Sequence, residues 1–477
     1  MNEATDTTPW PRRRTGNAGK AATRGRRQLN VPMSSGHEST LLNSRPVRGI
    51  KNLVRVRRHW AAPAAASVAA AATVNGYRPL SHRGYSSVLA FTTGVATTEL
   101  PLQNLATQTV IVALLARAAP RGTRLLTGLV WAASCLGLLG INRVGRHAGV
   151  PLDAALDRAL GPQRRTDSTG LWQRPTSGDG LAKKPGPVRM MRVYRDYVHD
   201  ADIRYGPSGK ANHLDIWSRP DLDRSGRAPV LIQVPGGAWS SGNKRGQAHP
   251  LMSHLAELGW ICVAINYRLS PRHTWPDHIV DVKRAIAWVK AHIAEYGGDP
   301  NFIAITGGSA GGHLSALAAL TAKDPEWQPG FEDADTSVQA AVPFYGVYDF
   351  TRTDGALHPI MVPFLERLVV KRPRRDAPEA YAAASPITHV GPDAPPFFVL
   401  HGRNDSFIPV VQARSFVDRL GAVSAAPVGY AELPLAQHAF DVFGSARAAH
   451  AAVAVEQFLA EVYSRWSVRD EVRSLDS

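Results

Sequence analysis

The sequence predicts an α/β fold: a doubly wound, mostly parallel sheet with a small lid in residues 190–477, preceded by an N-terminal helical segment. Three observations lead there. Short β-branched runs at 230–234 and 261–265 are apolar throughout, as strands buried on both faces of a parallel sheet must be. Helix-like segments alternate with such runs, which places helices on both faces of one sheet. At 477 residues the chain also exceeds the usual size of one domain, so a region appended to the main core is expected.

From the front, residues 1–60 read as a basic disordered tail. They hold thirteen Lys and Arg against Glu3, Asp6 and Glu38, an excess of ten positive charges within a formal net of +16, and few large apolar residues. The remainder is closer to neutral. Nucleic acid is not an expected partner, because no zinc-finger or RNP-like pattern and no basic stripe interleaved with aromatics accompanies the tail. A secretory signal is not read either, since the apolar stretch begins far from Met1; Met33 stands as an alternative start.

Residues 61–161 form an apolar helical region. An alanine-rich stretch at 61–74 is followed by apolar runs at 88–95, 105–116 and 125–141. The last run has 17 residues without a charge, between Arg121 and Arg124 on one side and Arg143 and Arg146 on the other. That length is the lower limit for crossing a bilayer. Joined through Pro120-Arg121-Gly122, 105–116 and 125–141 make a helical hairpin with two readings. Membrane contact through 105–141 would put the chain at a membrane or cell envelope; helices docked over the main domain would leave it cytoplasmic. Residues 162–189, rich in Arg, Gly, Pro, Ser and Thr, read as a linker.

Beyond the linker, strands are expected at 194–198, 213–217, 230–234, 261–265, 302–306, 338–344, 397–401 and 428–433, and helices at 247–258, 280–292, 310–322, 411–420 and 448–463. Residues 345–386 are insertion-like and form a candidate lid. Their apolar segment around Leu357 and Phe364 suits either an acyl chain or the core beneath. The two cysteines, Cys135 and Cys262, lie in apolar runs and read as small buried hydrophobes.

Chemistry centres on Gly307-Gly308-Ser309-Ala310-Gly311-Gly312, a Gly-x-Ser-x-Gly turn between a strand-like and a helix-like run. That context suits a nucleophile elbow, with glycines permitting the sharp backbone and the helix N-terminus favouring negative charge beside Ser309. In an elbow enzyme the acid and then the histidine follow the serine in the chain. Asp405 follows the 397–401 strand and His438 follows the 428–433 strand, both on loops at the same sheet edge. Asp441 and Asp349 are weaker alternatives for the acid. An oxyanion needs donors already in place. Pro235-Gly236-Gly237-Ala238-Trp239 offers the N–H groups of Gly236 and Gly237, and Ala310 after the nucleophile completes the set.

With these motifs assembled, the region from about residue 193 to the C-terminus resembles the α/β-hydrolase esterases and lipases related to hormone-sensitive lipase, particularly the mycobacterial carboxylesterase group. The oxyanion loop, Asn266-Tyr267-Arg268-Leu269-Ser270-Pro271, Gly298-Asp299-Pro300, the serine turn, the stretch from His401 to Pro409 and His438-Ala439-Phe440 carry the resemblance. It implies the α/β-hydrolase fold and hydrolysis of small-molecule or lipid carboxylic esters of short to medium acyl chains. An acyl-serine intermediate, no cofactor and no metal are implied with it, and Ser309, Asp405 and His438 are carried over as the triad. Two stretches depart from the family pattern. Where His-Gly-Gly-Gly is common, Pro235 takes the histidine position and Ala238 follows the glycine pair, and Gly308 stands where Asp often precedes the serine. Two other readings remain: an arylformamidase-type amidase, which the Gly-Gly-Ala-Trp loop also resembles, and a membrane-tethered binding protein on a hydrolase fold.

Overall fold

The computed structural model describes residues 46–82, 84–163, 187–322, 324–352 and 354–475. The chain divides into two units, Met1–Leu53 and Val54–Ser477. In the first, only residues 46–53 are described, and they are helical. The second unit contains an eight-stranded sheet of β1 (Val198–Arg204), β2 (His213–Trp217), β3 (Ala228–Val234), β4 (Ile261–Ile265), β5 (Gly298–Gly308), β6 (Ala340–Phe344), β7 (Phe397–Gly402) and β8 (Val428–Leu433). Spatial order is β1-β2-β4-β3-β5-β6-β7-β8, with β2 antiparallel to β1 and β4 and every other pairing parallel.

Alternation along the central strands divides the core in two. Val230, Ile232 and Val234 of β3 face one cluster with Ile303 and Ile305 of β5, while Leu231 faces the other with Cys262, Phe302 and Val342. Burying each such Val, Leu or Ile contributes roughly 1.5–3 kcal/mol, which is why these strands lie at the centre. Helices α8 (Asp277–His292) and α9 (Ala310–Leu320) cover the first face; α7 (His249–Glu257) and α13 (Ala446–Leu475) cover the second. Short α10 (Met361–Phe364), α11 (Pro378–Ala383) and the longer α12 (Val411–Val423) complete this half.

Several expectations change. Residues 194–197 are not strand, because α6 spans Pro187–Tyr197 and buries Met190, Val193 and Tyr197 at helical spacing. The expected tail is helical from Pro46, where α1 (Pro46–Tyr77) begins; residues 1–45, and 164–186 of the expected linker, lie outside the described residues. Cys262 is buried, but Cys135 is only half-buried and accepts from Gln108 Nε2 at 3.4 Å. Within the candidate lid, Leu357, Met361, Leu365 and Val369 are buried in the first cluster, so its apolar face packs onto the core.

The remaining N-terminal helices are α2 (Gly84–Glu99), α3 (Pro101–Ala116), α4 (Arg121–Arg146) and α5 (Gly149–Leu160). Pro120 ends the short α3–α4 connection, as a hairpin requires. Hydrogen bonds tie the hairpin to α1: Thr73 Oγ1 and Ser134 Oγ lie 2.8 Å apart, and the Tyr77 hydroxyl donates to Gly137 O at 2.9 Å; within the hairpin Ser134 Oγ donates to Gln108 Oε1 at 2.9 Å. Leu152, Leu156 and Leu160 of α5 join the second core cluster. Among the described residues one helical stretch, Arg121–Leu160, is long and apolar enough to cross a membrane, and its most apolar window is only 22% buried.

Candidate active site

Ser309 ends β5 and opens α9. Its backbone has φ +59° and ψ −118°, a strained conformation for a residue with a side chain, of the kind a sharp strand-to-helix turn imposes. Its N–H donates to Phe344 O at 3.0 Å. Gly311 is required by close approach, because a Cβ there would lie 2.1 Å from the carbonyl oxygen of Val234. Gly308 has a different reason. A Cβ at 308 would fall 2.6 Å from the hydroxyl of Tyr345, so the aspartate common at this position has no room.

Asp405 is buried on the loop after β7 and fully used as an acceptor. Oδ1 receives the N–H groups of Phe407 (2.9 Å) and Ile408 (2.7 Å); Oδ2 receives His438 Nδ1 at 2.7 Å and faces His401 Nε2 at 3.3 Å. Burial alone would push this carboxyl up. The His438 charge and the hydrogen bonds from His401 and His438 outweigh burial and hold it well below the usual carboxylate range.

His438 is buried on the loop after β8, with Tyr345, Phe407 and Phe91 around its ring at centroid separations of 4.6, 5.5 and 5.6 Å. Tyr345, which packs against His438, also lies beside Gly308, the residue before Ser309. Among the described residues neither Ser309 Oγ nor His438 Nε2 makes a protein hydrogen bond, an open spacing common in ligand-free sites. Asp441 is engaged elsewhere, accepting a hydrogen bond from the Tyr345 hydroxyl, and Asp349 accepts from Thr351.

The oxyanion loop corrects one expectation. Gly236 N–H is not free, because it donates to Gln247 Oε1 at 2.7 Å. Gly237 and Ala238 follow with φ of +126° and +51°, and the N–H groups of both lack a protein acceptor among the described residues. Ala310 is the first residue of α9, and opening N–H groups have no intrahelical acceptor. Pro235 lacks a histidine's side-chain bonds, but its carbonyl accepts the Tyr267 hydroxyl at 3.0 Å. Trp239 Nε1 donates to His313 Nδ1 at 3.1 Å, and His313 Nε2 bonds Ala384 O at 2.6 Å. Burial pushes His313 down to about 4, so the ring stays neutral and fastens the loop to α9.

The sequence reading missed Gln247, His313, Tyr345 and His401 as site residues. Only His401 carried a signal, lying four residues before Asp405 in the motif that singled out the acid. It also missed the N-terminal helices. Phe91 of α2 stands edge-on to His438, and Asn404 beside the acid donates to the carbonyls of Gly76 and Tyr77 at 3.1 and 2.9 Å.

Comparison with known proteins relates the chain to ester hydrolases. A family model described as BD-FAE matches residues 214–420. A Mycobacterium tuberculosis protein named "Probable carboxylic ester hydrolase LipM" is 66% identical over 416 residues, covering 87% of this chain and 96% of its own length. "Esterase LipQ" of the same organism is 53% identical over 334 residues, covering 69% of this chain and 78% of its own length. Among solved structures, butyrate-bound Est2, an esterase of Thermogutta terrifontis, is similar with TM-score 0.45 and 25% identity over 57% of this chain and 93% of that one. The 416-residue similarity is longer than 190–477, so it extends into the N-terminal region.

Proposed function

Since the chain belongs to the α/β-hydrolase family of carboxylic ester hydrolases, we propose that it cleaves carboxylic esters with Ser309 as nucleophile, His438 as general base and Asp405 as the orienting acid. The observation that carries this is the 2.7 Å bond from His438 Nδ1 to Asp405, at the sheet edge where Ser309 holds its strained turn. That bond fixes the tautomer, leaving Nε2 to accept the Ser309 hydroxyl proton as Oγ attacks the ester carbonyl. Negative charge moves to the carbonyl oxygen, where the N–H groups of Gly237, Ala238 and Ala310 are suited to receive it; one such donor is worth about 2.7–4 kcal/mol in mutated serine hydrolases. Gly236, tied to Gln247, holds the loop instead.

Collapse of the adduct breaks the bond to the alcohol oxygen, which takes the proton from His438 Nε2. Water, activated by the same nitrogen, then releases the acid and restores Ser309. Relatives named as esterases favour this over amide cleavage. Short to medium acyl chains are the proposed range, because the lid's apolar side chains pack inward. Wild-type protein is expected to hydrolyse p-nitrophenyl butyrate and to be labelled on Ser309 by a fluorophosphonate; Ser309→Ala should lose both. Turnover that survives in Ser309→Ala would sink the proposal.

We also propose that the exposed face of the α3–α4 hairpin rests on a membrane surface. Supporting this are the low burial of the apolar stretch in 121–160 and the hydrogen bonds that hold the hairpin's other face to α1.

A further inference from the structure

We propose that Phe91, on helix α2 of the N-terminal region, limits the size of the ester's alcohol. This rests on the reading of His438 as the group that protonates the leaving alkoxide. To receive that proton, the alcohol oxygen must come within about 2.6–3.2 Å of Nε2. Whatever flanks the imidazole on its open side therefore flanks the alcohol, while the acyl group is held by its carbonyl oxygen at the N–H donors.

Phe91 packs against that imidazole and, in this proposal, borders the alcohol. Its ring stands edge-on to His438 at 5.6 Å and meets Phe407 at 6.0 Å; Phe407 lies 5.5 Å from the same imidazole. Phe91 is half-buried, so part of the residue is left uncovered. Its place is fixed from both sides. One turn earlier, Ser87 O accepts from Ser406 Oγ at 3.5 Å, next to the acid. One turn later, Gly94 is so close to Gln437 that a Cβ would lie 3.0 Å from its Nε2, next to the histidine. At the end of the helix, buried Glu99 pairs with Arg447 and accepts from Ser445 Oγ at 2.8 Å. Helix α2 thus lies along the loops of both Asp405 and His438, and Phe91 is the side chain it sends to the imidazole.

The test compares kcat/KM for ethyl butyrate, cyclohexyl butyrate and ethyl hexanoate, using full-length wild type, Phe91→Ala, Phe91→Leu and Phe91→Trp. Phe91→Ala should raise the cyclohexyl-to-ethyl ratio about tenfold, the scale at which pocket volume discriminates substrates. Phe91→Leu should move it the same way by less, and Phe91→Trp should lower it. The hexanoate-to-butyrate ratio should stay within about twofold, well inside what one acyl methylene is worth.

An equal change for both alcohols would show that Phe91 only supports His438, and would overturn the assignment. A larger shift in the acyl ratio than in the alcohol ratio would overturn it too, placing Phe91 on the other side of the site. Fluorophosphonate labelling separates the layers. Wild type that labels on Ser309 but shows no ratio change in any variant refutes Phe91 alone, whereas wild type that fails to label removes the esterase reading with it.

Discussion

Asp405 accepts four hydrogen-bond contacts, and two of them come from histidines with different duties. In the proposed mechanism His438 presents its far nitrogen to the reaction; His401 is buried, bonds Ile408 O at 3.0 Å and has a second nitrogen without a partner among the described residues. Removing the charge from the acid without changing its shape should cost most. Asp405→Asn is expected to lower kcat by roughly 10⁴, the scale seen when a triad histidine loses its orienting carboxylate, with circular dichroism unchanged. Buried histidines give a second prediction at this scale. His313 has a folded pKa of about 4, below its unfolded value near 6.5. The unfolded chain therefore binds more protons between these values, so the stabilising contribution is complete above about pH 6.5 and is lost as pH falls toward 4. His278 is depressed in the same direction by burial, so the wild-type slope contains both groups. Comparing urea midpoints of wild type and His313→Gln from pH 7 to 4.5 isolates His313, and the variant should show the shallower dependence.

Elements place these residues, and one buried pair decides how firmly the N-terminal helices do so. Glu99 and Arg447 are both buried and face each other; burial pushes Glu99 up while Arg447 and its hydrogen bonds oppose that shift. Glu99→Ala would leave a guanidinium buried without its carboxylate, a change that costs about 3–5 kcal/mol. It should lower Tm and reduce ester turnover together, because α2 borders the catalytic loops; loss of neither would mean the helix is not anchored there. This contact was not legible in the sequence, since nothing in the pattern relates position 99 to position 447. What was legible were short strand-like runs: 261–265, buried throughout, and 428–433, alternately half-buried and buried, emerge with the expected bounds. Residues 194–197 failed because a short run with Tyr194 and Tyr197 fits both periods, and only packing of Met190 and Val193 selects the helix. In the site, chain order singled out Ser309, Asp405 and His438 as candidates, of which the structure bonds Asp405 to His438, but local pattern could not show that Gln247 occupies the N–H of Gly236.

On the scale of the whole molecule, apolar exposure is segregated. Of nineteen exposed large apolar side chains among the described residues, eighteen lie between Trp60 and Val150, and the other is Val468. Exposure so confined along the chain supports the proposed membrane contact. Arg117, Arg121 and Arg124 at one end of the hairpin, and Arg143 and Arg146 at the other end of α4, are exposed and suit anionic lipid headgroups, at about 1 kcal/mol per cation near such a surface. Because α4 presents only one face, with Ser134 and Leu138 turned inward, the fitting geometry is a hairpin lying on the bilayer. Full-length protein should therefore sediment with phosphatidylglycerol vesicles more than with phosphatidylcholine vesicles, and salt should weaken the difference as it screens the arginines. Leu125, Leu129 and Leu136 share the outer face and are 62–70% exposed. Replacing all three by Asp should reduce vesicle binding at least tenfold, about the effect of 1.4 kcal/mol. Hydrolysis of soluble p-nitrophenyl butyrate should persist, since none of the three lines the catalytic loops. A wild-type chain that ignores vesicles of both compositions but sediments as a dimer, and a triple variant that becomes monomeric, would assign the same face to a second copy instead.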